Sequence, residues 1–431
     1  MPILKTVTLG CKVNQYETEY VREGLLRLGY RDAADGETCD LCVVNTCTVT
    51  AEGDLKSRKL IRQLARQNPG ARILVMGCYA TRAPETVAAL PGVSEVVTEK
   101  RDLPALLERL GLAHAPSGIS GFGRRHRAYV KVQDGCRMPC SYCIIPKVRP
   151  TLASRPVAEV LAEIRRLVDG GHREIVLTGI HLGHYGVDLA GAKGPRVDLA
   201  LLVARIAKLG GLFRIRLSSI EAVEATDALI ELMAAHPDRI CPHLHLSMQS
   251  GSDAVLARMR RRWASARFAD RCQRVREALD EPALTTDVIV GFPGETDDDF
   301  EATCRAVERI GFSKIHVFRF SPRRGTPAAD MPDQVPASVK RRRAADLAEL
   351  GSRLRRRFLE RLRGRRLQVL VEKPVEGQPG VFLGTCARYL PVRVADPDGC
   401  PGQLVSVWAG GVVDGLLDGE DARRTVLASP T

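Results

Sequence analysis

The sequence predicts an α/β protein in three parts: an N-terminal parallel sheet, a central partial (βα)6 barrel, and a small all-β barrel at the C-terminal end. Three observations carry that prediction. Apolar strand-like runs alternate with helix-length segments as far as Phe320. From Leu367 the pattern changes to short β-like runs broken by Gly and Pro. A chain of 431 residues is also too long for one ordinary core.

In residues 1–112 the strands fall at Leu4–Leu9, Leu41–Asn45 and Ile73–Met76. Helices follow at Tyr16–Leu28, at Leu55–Arg66 and from Pro84, the alternation of a parallel sheet covered by helices. Gly111–Arg127 is rich in Gly, Ser and basic residues and reads as a linker, its core being residues 113–127. Residues 128–335 hold six further strands: Tyr129–Gln133, Glu174–Thr178, Phe213–Leu217, His243–Leu246, Thr285–Val290 and Lys314–Phe320. Six units without a return to eight make an open barrel, whose ligand is expected at the carboxyl ends of the strands. Residues 336–366 form a basic helix. Lys340–Arg366 has twelve Lys or Arg against three acids, while Leu347, Leu350, Leu354, Phe358 and Leu362 mark one apolar face. That helix either docks by its apolar face alone or also lines a nucleic-acid groove. In residues 367–431 the runs Gln368–Glu372, Tyr389–Val394, Gln403–Val407 and Gly411–Leu416 read as a β-barrel.

The formal net charge of +13 favours a polyanionic partner, with nucleic acid the obvious candidate. Thirteen cysteines, an odd count in a long chain starting MPILKTVTLG, suggest reduced thiols in the cytoplasm rather than disulfides. No run of eighteen apolar residues marks a membrane span.

The chemistry is concentrated in cysteine. Cys136, Cys140 and Cys143 stand at C-x3-C-x2-C spacing just after an apolar strand. Three thiolates on one loop can hold three irons of a 4Fe-4S cube and leave the fourth iron open to a substrate or cofactor. A structural zinc site is the alternative, although it needs four ligands and no second Cys or His pair stands at a suitable distance downstream. Cys11, Cys47 and Cys78 each lie just beyond the carboxyl end of one of the first three strands. In a parallel sheet those ends share one edge, so the three can converge on a second cluster; taken singly, each could be a buried structural thiol. Cys42 falls inside a strand and is expected in the core, Cys39 is assigned nothing, and Cys241, Cys272, Cys304, Cys386 and Cys400 are treated as structural.

With both triads in view, the chain resembles the methylthiotransferases of the radical S-adenosylmethionine (SAM) superfamily over almost its whole length. That resemblance implies a methylthiotransferase domain, a radical SAM barrel and a TRAM-type RNA-binding barrel in this order. It places an auxiliary [4Fe-4S] cluster on Cys11, Cys47 and Cys78, and the SAM-binding [4Fe-4S] cluster on Cys136, Cys140 and Cys143. The phrases Gly10-Cys-Lys-Val-Asn-Gln-Tyr-Glu, Gln133-Asp-Gly-Cys and Leu217-Ser-Ser-Ile-Glu are similar to the branch acting on N6-threonylcarbamoyladenosine in tRNA. The implied reaction is transfer of a methylthio group to C2 of that base at position 37, beside the anticodon. Removing hydrogen from an unactivated aromatic carbon calls for cofactor radical chemistry, so no side-chain acid or base is assigned. One SAM would methylate a sulfur on the auxiliary cluster and a second would supply the radical, which requires both clusters to face one cavity.

Strand-end position suggests SAM contacts at Thr178 and Gly179, at Ser218, Ser219 and Glu221, at Ser247, Gln249 and Ser250, and at Gly291 and Glu295. His181 and His184 lack a Cys or carboxylate at ligand spacing and count as pocket or surface residues. Arg388 and Arg393 in the terminal barrel suggest a grip on the tRNA backbone. The family's usual Arg-Gly reads Arg149-Pro150, and the Pro after Ser-Ile-Glu is Ala222; neither change touches a ligand. Further implied partners are a flavodoxin- or ferredoxin-type electron donor and a sulfur donor. Two rival readings remain. One keeps the two-cluster chemistry on an aspartate of a ribosomal protein, and the other is a non-catalytic zinc-containing RNA-binding protein.

Overall fold

A computed structural model describes residues 1–123, 125–189, 197–396 and 399–421. The N-terminal sheet is wholly parallel, in the order Arg31–Asp32, Ile3–Thr8, Leu41–Thr46, Arg72–Gly77, Val93–Val96. Leu41–Thr46 is buried at every position, as expected of a central strand covered on both faces. The short outer strands Arg31–Asp32 and Val93–Val96 are not among the sequence-predicted ones, having too few residues to show a period.

The central part has six main parallel strands, Arg127–Asp134, Glu174–Gly179, Arg214–Leu217, His243–Leu246, Ala283–Val290 and Lys314–Arg319. They fall into two sheets of three, each with one added two-residue strand. The halves meet at a single bridge between Ile215 and Ile240, so the wall is curved and continuous but loosened in the middle. The basic helix, Ala337–Arg361, lays Leu347, Leu350 and Leu354 into the main core and leaves Arg356 and Arg357 exposed.

The C-terminal part closes into a five-stranded barrel, in the order Arg366–Pro374, Val381–Cys386, Pro391–Ala395, Leu416–Asp421, Leu404–Val413. Two details differ from expectation. The strand Val381–Cys386 was not predicted, because Gly384 and Thr385 dilute its apolar pattern. The expected run Gly411–Leu416 is instead a strand end, a turn at Asp414 and Gly415, and a new strand start. Residues 422–431, part of the expected barrel, lie outside the described residues.

The three parts are fastened by buried charge. At the bottom of the partial barrel, Arg214 donates to the carbonyls of Gln368 (2.8 Å) and Thr385 (2.7 Å), and Arg216 to that of Ala387 (2.8 Å). Glu174, fully buried, pairs with both arginines. Burial opposes its ionisation, but Arg216, Arg214 and Arg127 outweigh that and hold it well below the usual carboxylate range. Arg388 is buried and donates to the carbonyls of Glu281 (2.7 Å) and Asp280 (2.8 Å). Its guanidinium therefore fixes the terminal barrel to the central part, and the expected grip on tRNA phosphate does not apply to it. Arg393, 3.7 Å from Asp418, lies on the barrel's own wall. The stretch expected as a linker is pinned as well: Ile119 and Phe122 are buried, and Ile119 N donates to Glu163 Oε1 at 2.8 Å.

Candidate active site between two cysteine triads

Cys136 follows the first barrel strand through Gly135, whose φ is +80° and whose Cβ position is blocked by the Thr151 carbonyl, so only glycine makes this turn. The loop is fixed by its backbone. Cys136 N donates to Arg149 O (3.0 Å), Ser141 N to Met259 O (3.1 Å), and Ala328 N to Ser141 O (2.8 Å). Cys136 and Cys140 are buried beside Met138, Tyr142 and Ile180, while Cys143 is half-buried.

Two of these sulfurs face a cation or a histidine. Arg261 Nη1 stands 3.4 Å from Cys140 Sγ, and His181 Nδ1 stands 3.5 Å from Cys136 Sγ. His181 Nε2 is 2.5 Å from Glu224, and His184 stacks on His181 with centroids 3.6 Å apart. This corrects the expectation that His181 and His184 lack cysteine and carboxylate partners: the fold supplies both from distant positions. Burial opposes charging of His181, but its hydrogen bonds to Cys136 and Glu224 raise its pKa to about 9. Burial pushes the Cys143 thiol up to about 12. Such thiols are held neutral until a metal replaces the proton, and N–H groups aimed at sulfur are the partners that thiolate–iron charge calls for.

The second triad assembles at one sheet edge. Cys11 caps the helix Lys12–Arg27, Cys47 follows Leu41–Thr46, and Cys78 opens the helix Cys78–Arg82. Gly10 lies so near Cys47 that a Cβ there would sit 3.1 Å from Cys47 Cβ and 3.3 Å from its Sγ. Asn14 knits the loops, donating to Leu9 O (2.8 Å) and Thr46 O (3.1 Å) and accepting from Cys11 Sγ at 3.7 Å.

Arg149 joins the triads. Its carbonyl holds Cys136 N, its Nε lies 3.4 Å from Cys78 Sγ, and its Nη2 donates to Asn14 Oδ1 at 3.2 Å. The same guanidinium, fully buried, pairs with Glu17 and Asp134, and Lys131 completes the network. Burial opposes ionisation of both acids, yet Arg149 and Lys131 keep both below the usual carboxylate range. Cys78 also packs on Ile144 and Val148, which directly follow Cys143 and its neighbours on the other loop. The N-terminal cysteine edge thus closes over the mouth of the partial barrel. Pro150, where the resemblance led one to expect Gly, follows Arg149 without disturbing these contacts.

Among the described residues, the His, Cys, Asp and Glu groups with ligand atoms all within 4.8 Å of one another are His181–His184–Glu224 and His245–Asp287–His316, and neither cysteine triad is one. A single zinc ion would draw sulfurs to within about 4 Å.

The residues expected to contact SAM differ in what their own side chains engage. Thr178 and Gly179 end a strand next to Gln133, whose side chain donates to the Gly135 carbonyl (2.7 Å) and accepts from His181 N (2.8 Å). Ser218 Oγ is buried without a hydrogen-bond partner, the mark of a group awaiting one, and Ser219 is exposed beside it. Glu221 is paired with Arg261, which also donates to Ser247 O at 3.0 Å. Gln249 has a left-handed backbone, φ +67°. Ser250 is engaged with Thr303 (3.2 Å), and Glu295 with Gly291 N (2.8 Å) and Arg343 (2.7 Å), so these two hold their loops in shape. Spacing alone gave no signal for Arg149, Arg261 or Glu224, whose partners are far away in sequence.

Two family models match the chain, the Radical SAM superfamily over residues 130–307 and the Uncharacterized protein family UPF0004 over residues 4–98. The chain is 40% identical over 420 residues to the threonylcarbamoyladenosine tRNA methylthiotransferase MtaB of Bacillus subtilis (strain 168), covering 93% of this chain and 92% of that protein. It is 42% identical over 378 residues to the protein of the same name from Chlamydia pneumoniae, covering 87% of each. A tRNA-2-methylthio-N(6)-dimethylallyladenosine synthase of Corynebacterium urealyticum is 37% identical over 389 residues, 85% of this chain and 72% of that protein. Among solved structures, the radical S-adenosylmethionine methyltransferase TsrM of Kitasatospora setae has the same fold, with TM-score 0.55, 14% identity, and coverage of 76% of this chain and 75% of that one. Identity of this extent across nearly the whole length, together with the matching superfamily model, means that the chain belongs to the methylthiotransferase family of the radical SAM superfamily.

Proposed function

We propose that this protein transfers a methylthio group to C2 of N6-threonylcarbamoyladenosine at position 37 of tRNA. In this reading Cys136, Cys140 and Cys143 hold the SAM-binding [4Fe-4S] cluster, and Cys11, Cys47 and Cys78 hold a second. The carrying observation is Arg149, one buried side chain that touches Cys78 while its own carbonyl holds Cys136 N. With SAM bound, a reduced cluster of this kind supplies a radical able to take hydrogen from an unactivated carbon.

The chain's own residues do the rest. Arg261, His181 and Arg149 aim N–H groups at sulfur and balance negative charge in a dry setting. Met138, Tyr142, Ile144 and Val148 keep water away from the space between the loops. Ser218, with its unpartnered hydroxyl, is placed to receive a polar group of SAM or of the base. Exposed Arg356 and Arg357 offer contacts to the RNA backbone. A low-potential electron donor of flavodoxin or ferredoxin type, a sulfur donor and a cytoplasmic setting complete the reading; among the described residues no helix is long and apolar enough to cross a membrane.

The test is mass spectrometry of nucleosides from bulk tRNA, and of ribosomal-protein peptides, from cells with and without the gene. Loss of methylthio-threonylcarbamoyladenosine with accumulation of its unmethylthiolated precursor is expected. Unchanged tRNA with a missing methylthio group on a ribosomal protein aspartate contradicts the assignment.

A further inference from the structure

The inside of an α/β barrel is ordinarily filled by branched apolar side chains. Here the last three strands instead turn His243, His245, Thr285, Asp287, Lys314 and His316 towards a cavity of about 460 Å³. Strand register sets Thr285 beside both His245 and Lys314, and Asp287 beside His316. Tyr389 of the terminal barrel closes the floor, 5.1 Å from His243 and under Arg216 at 4.5 Å. At the mouth stand Ser218, Ser219 and Lys12, the residue immediately after Cys11. The result is a polar cup opening at the cysteine edge.

Its charge is unbalanced. Arg216 is neutralised by Glu174 and Arg388 by Asp280. Lys12, Lys314 and Arg355 have no ion-pair partner among the described residues, and Asp287 is the one carboxylate facing them in the cup. His243 and His316 add no charge at neutral pH: burial lowers both, with Arg216 beside His243, Lys314 beside His316 and Lys12 near both adding to the effect. His245 Nδ1 is hydrogen-bonded to Thr285 Oγ1 at 3.0 Å, while its Nε2 stands 3.3 Å from Asp287 without a hydrogen bond. Such a cup attracts an anion that also carries hydrogen-bond donors. The surplus of cations argues against a divalent metal on His245, Asp287 and His316, although their ligand atoms are close enough for one.

We propose that this cup reads the N6 substituent of the substrate, with Lys314 and Lys12 holding the threonyl carboxylate and Asp287 accepting from the threonyl hydroxyl. The inference rests on the function proposed above and deepens it, by assigning specificity to residues that no cysteine or SAM motif includes. Phe318, half exposed on the same face of the Lys314 strand nearer the mouth, offers a stacking surface for the base.

The test uses the full-length protein with reconstituted clusters and anticodon stem-loops bearing either N6-threonylcarbamoyladenosine or its uncharged threonyl methyl ester. Wild type should bind the acid roughly tenfold to a hundredfold tighter than the ester, the span expected for a charged hydrogen bond. Lys314→Gln and Lys12→Gln should each shrink that ratio by weakening the acid and sparing the ester; circular dichroism and iron content report folding separately. Equal binding of acid and ester by wild type overturns the proposal, as does an undiminished ratio in both variants. A third, stoichiometric metal lost in His316→Ala would also overturn it, by making the cup a cation site. If neither stem-loop is methylthiolated while SAM is still cleaved, it is the underlying substrate assignment that falls.

Discussion

Cys136, Cys140 and Cys143 lie within eight consecutive residues of one loop, whereas Cys11, Cys47 and Cys78 are gathered from three strand ends across sixty-eight residues. The first triad needs only a loop pinned by local backbone hydrogen bonds. The second exists only once a parallel sheet has formed, and it is held over the first by Arg149, Glu17 and Asp134. A compact triad is a property of a segment; a dispersed triad is a property of a fold and of the contact between two parts of it.

That difference predicts separable losses. Cys136→Ala should abolish SAM cleavage, read as 5′-deoxyadenosine, because it removes a proposed ligand of the cluster proposed to bind SAM. Cys47→Ala should leave SAM cleavage in place and eliminate methylthio transfer. If Cys47→Ala also abolished cleavage while Cys136→Ala did not, the roles of the triads would have to be exchanged.

A step down in size is Arg149→Met. It leaves buried Glu17 and Asp134 with Lys131 as their remaining cation, which costs about 3 kcal/mol, the lower end for breaking a buried pair. Denaturant melting should show that loss, and limited proteolysis should show the N-terminal part released from the barrel mouth. Stability within about 0.5 kcal/mol of wild type would mean the network does not hold the triads together.

The compact triad was legible as a grouping because its three cysteines share one short loop. The dispersed one was legible because strand-then-Cys recurs three times, and parallel strands share an edge. The residues that join them were not. His181 and Glu224 stand forty-three positions apart, and Arg149 reaches Cys78 across seventy-one. No periodicity encodes a contact at such range. The strand runs were visible, yet which of their faces turned inward was not, so the polar cup of His243, His245 and His316 could not be foreseen. Arg388 shows the same limit: a cation in a barrel suggests phosphate, and only the fold shows it donating to the backbone at Asp280 and Glu281.

Arg388→Ala should cost about 1–3 kcal/mol, since it removes two charged, part-buried hydrogen bonds to backbone carbonyls. The expected sign is a lower melting temperature with tRNA affinity reduced only through stability. The smallest effect is at the exposed helix face. Arg356→Gln should leave melting unchanged and weaken tRNA binding alike for all sequences, flattening the slope of log affinity against log salt by about one. An unchanged slope would take that face out of the RNA-binding surface.

The central claim is that the dispersed triad holds a cluster as the compact one does. Iron and acid-labile sulfide should be measured on anaerobically reconstituted wild type and on the variant with Cys11, Cys47 and Cys78 all replaced by Ala. The account predicts about eight irons with matching sulfide in wild type and about four of each in the variant. About four irons in both proteins, or zinc without sulfide, would contradict it.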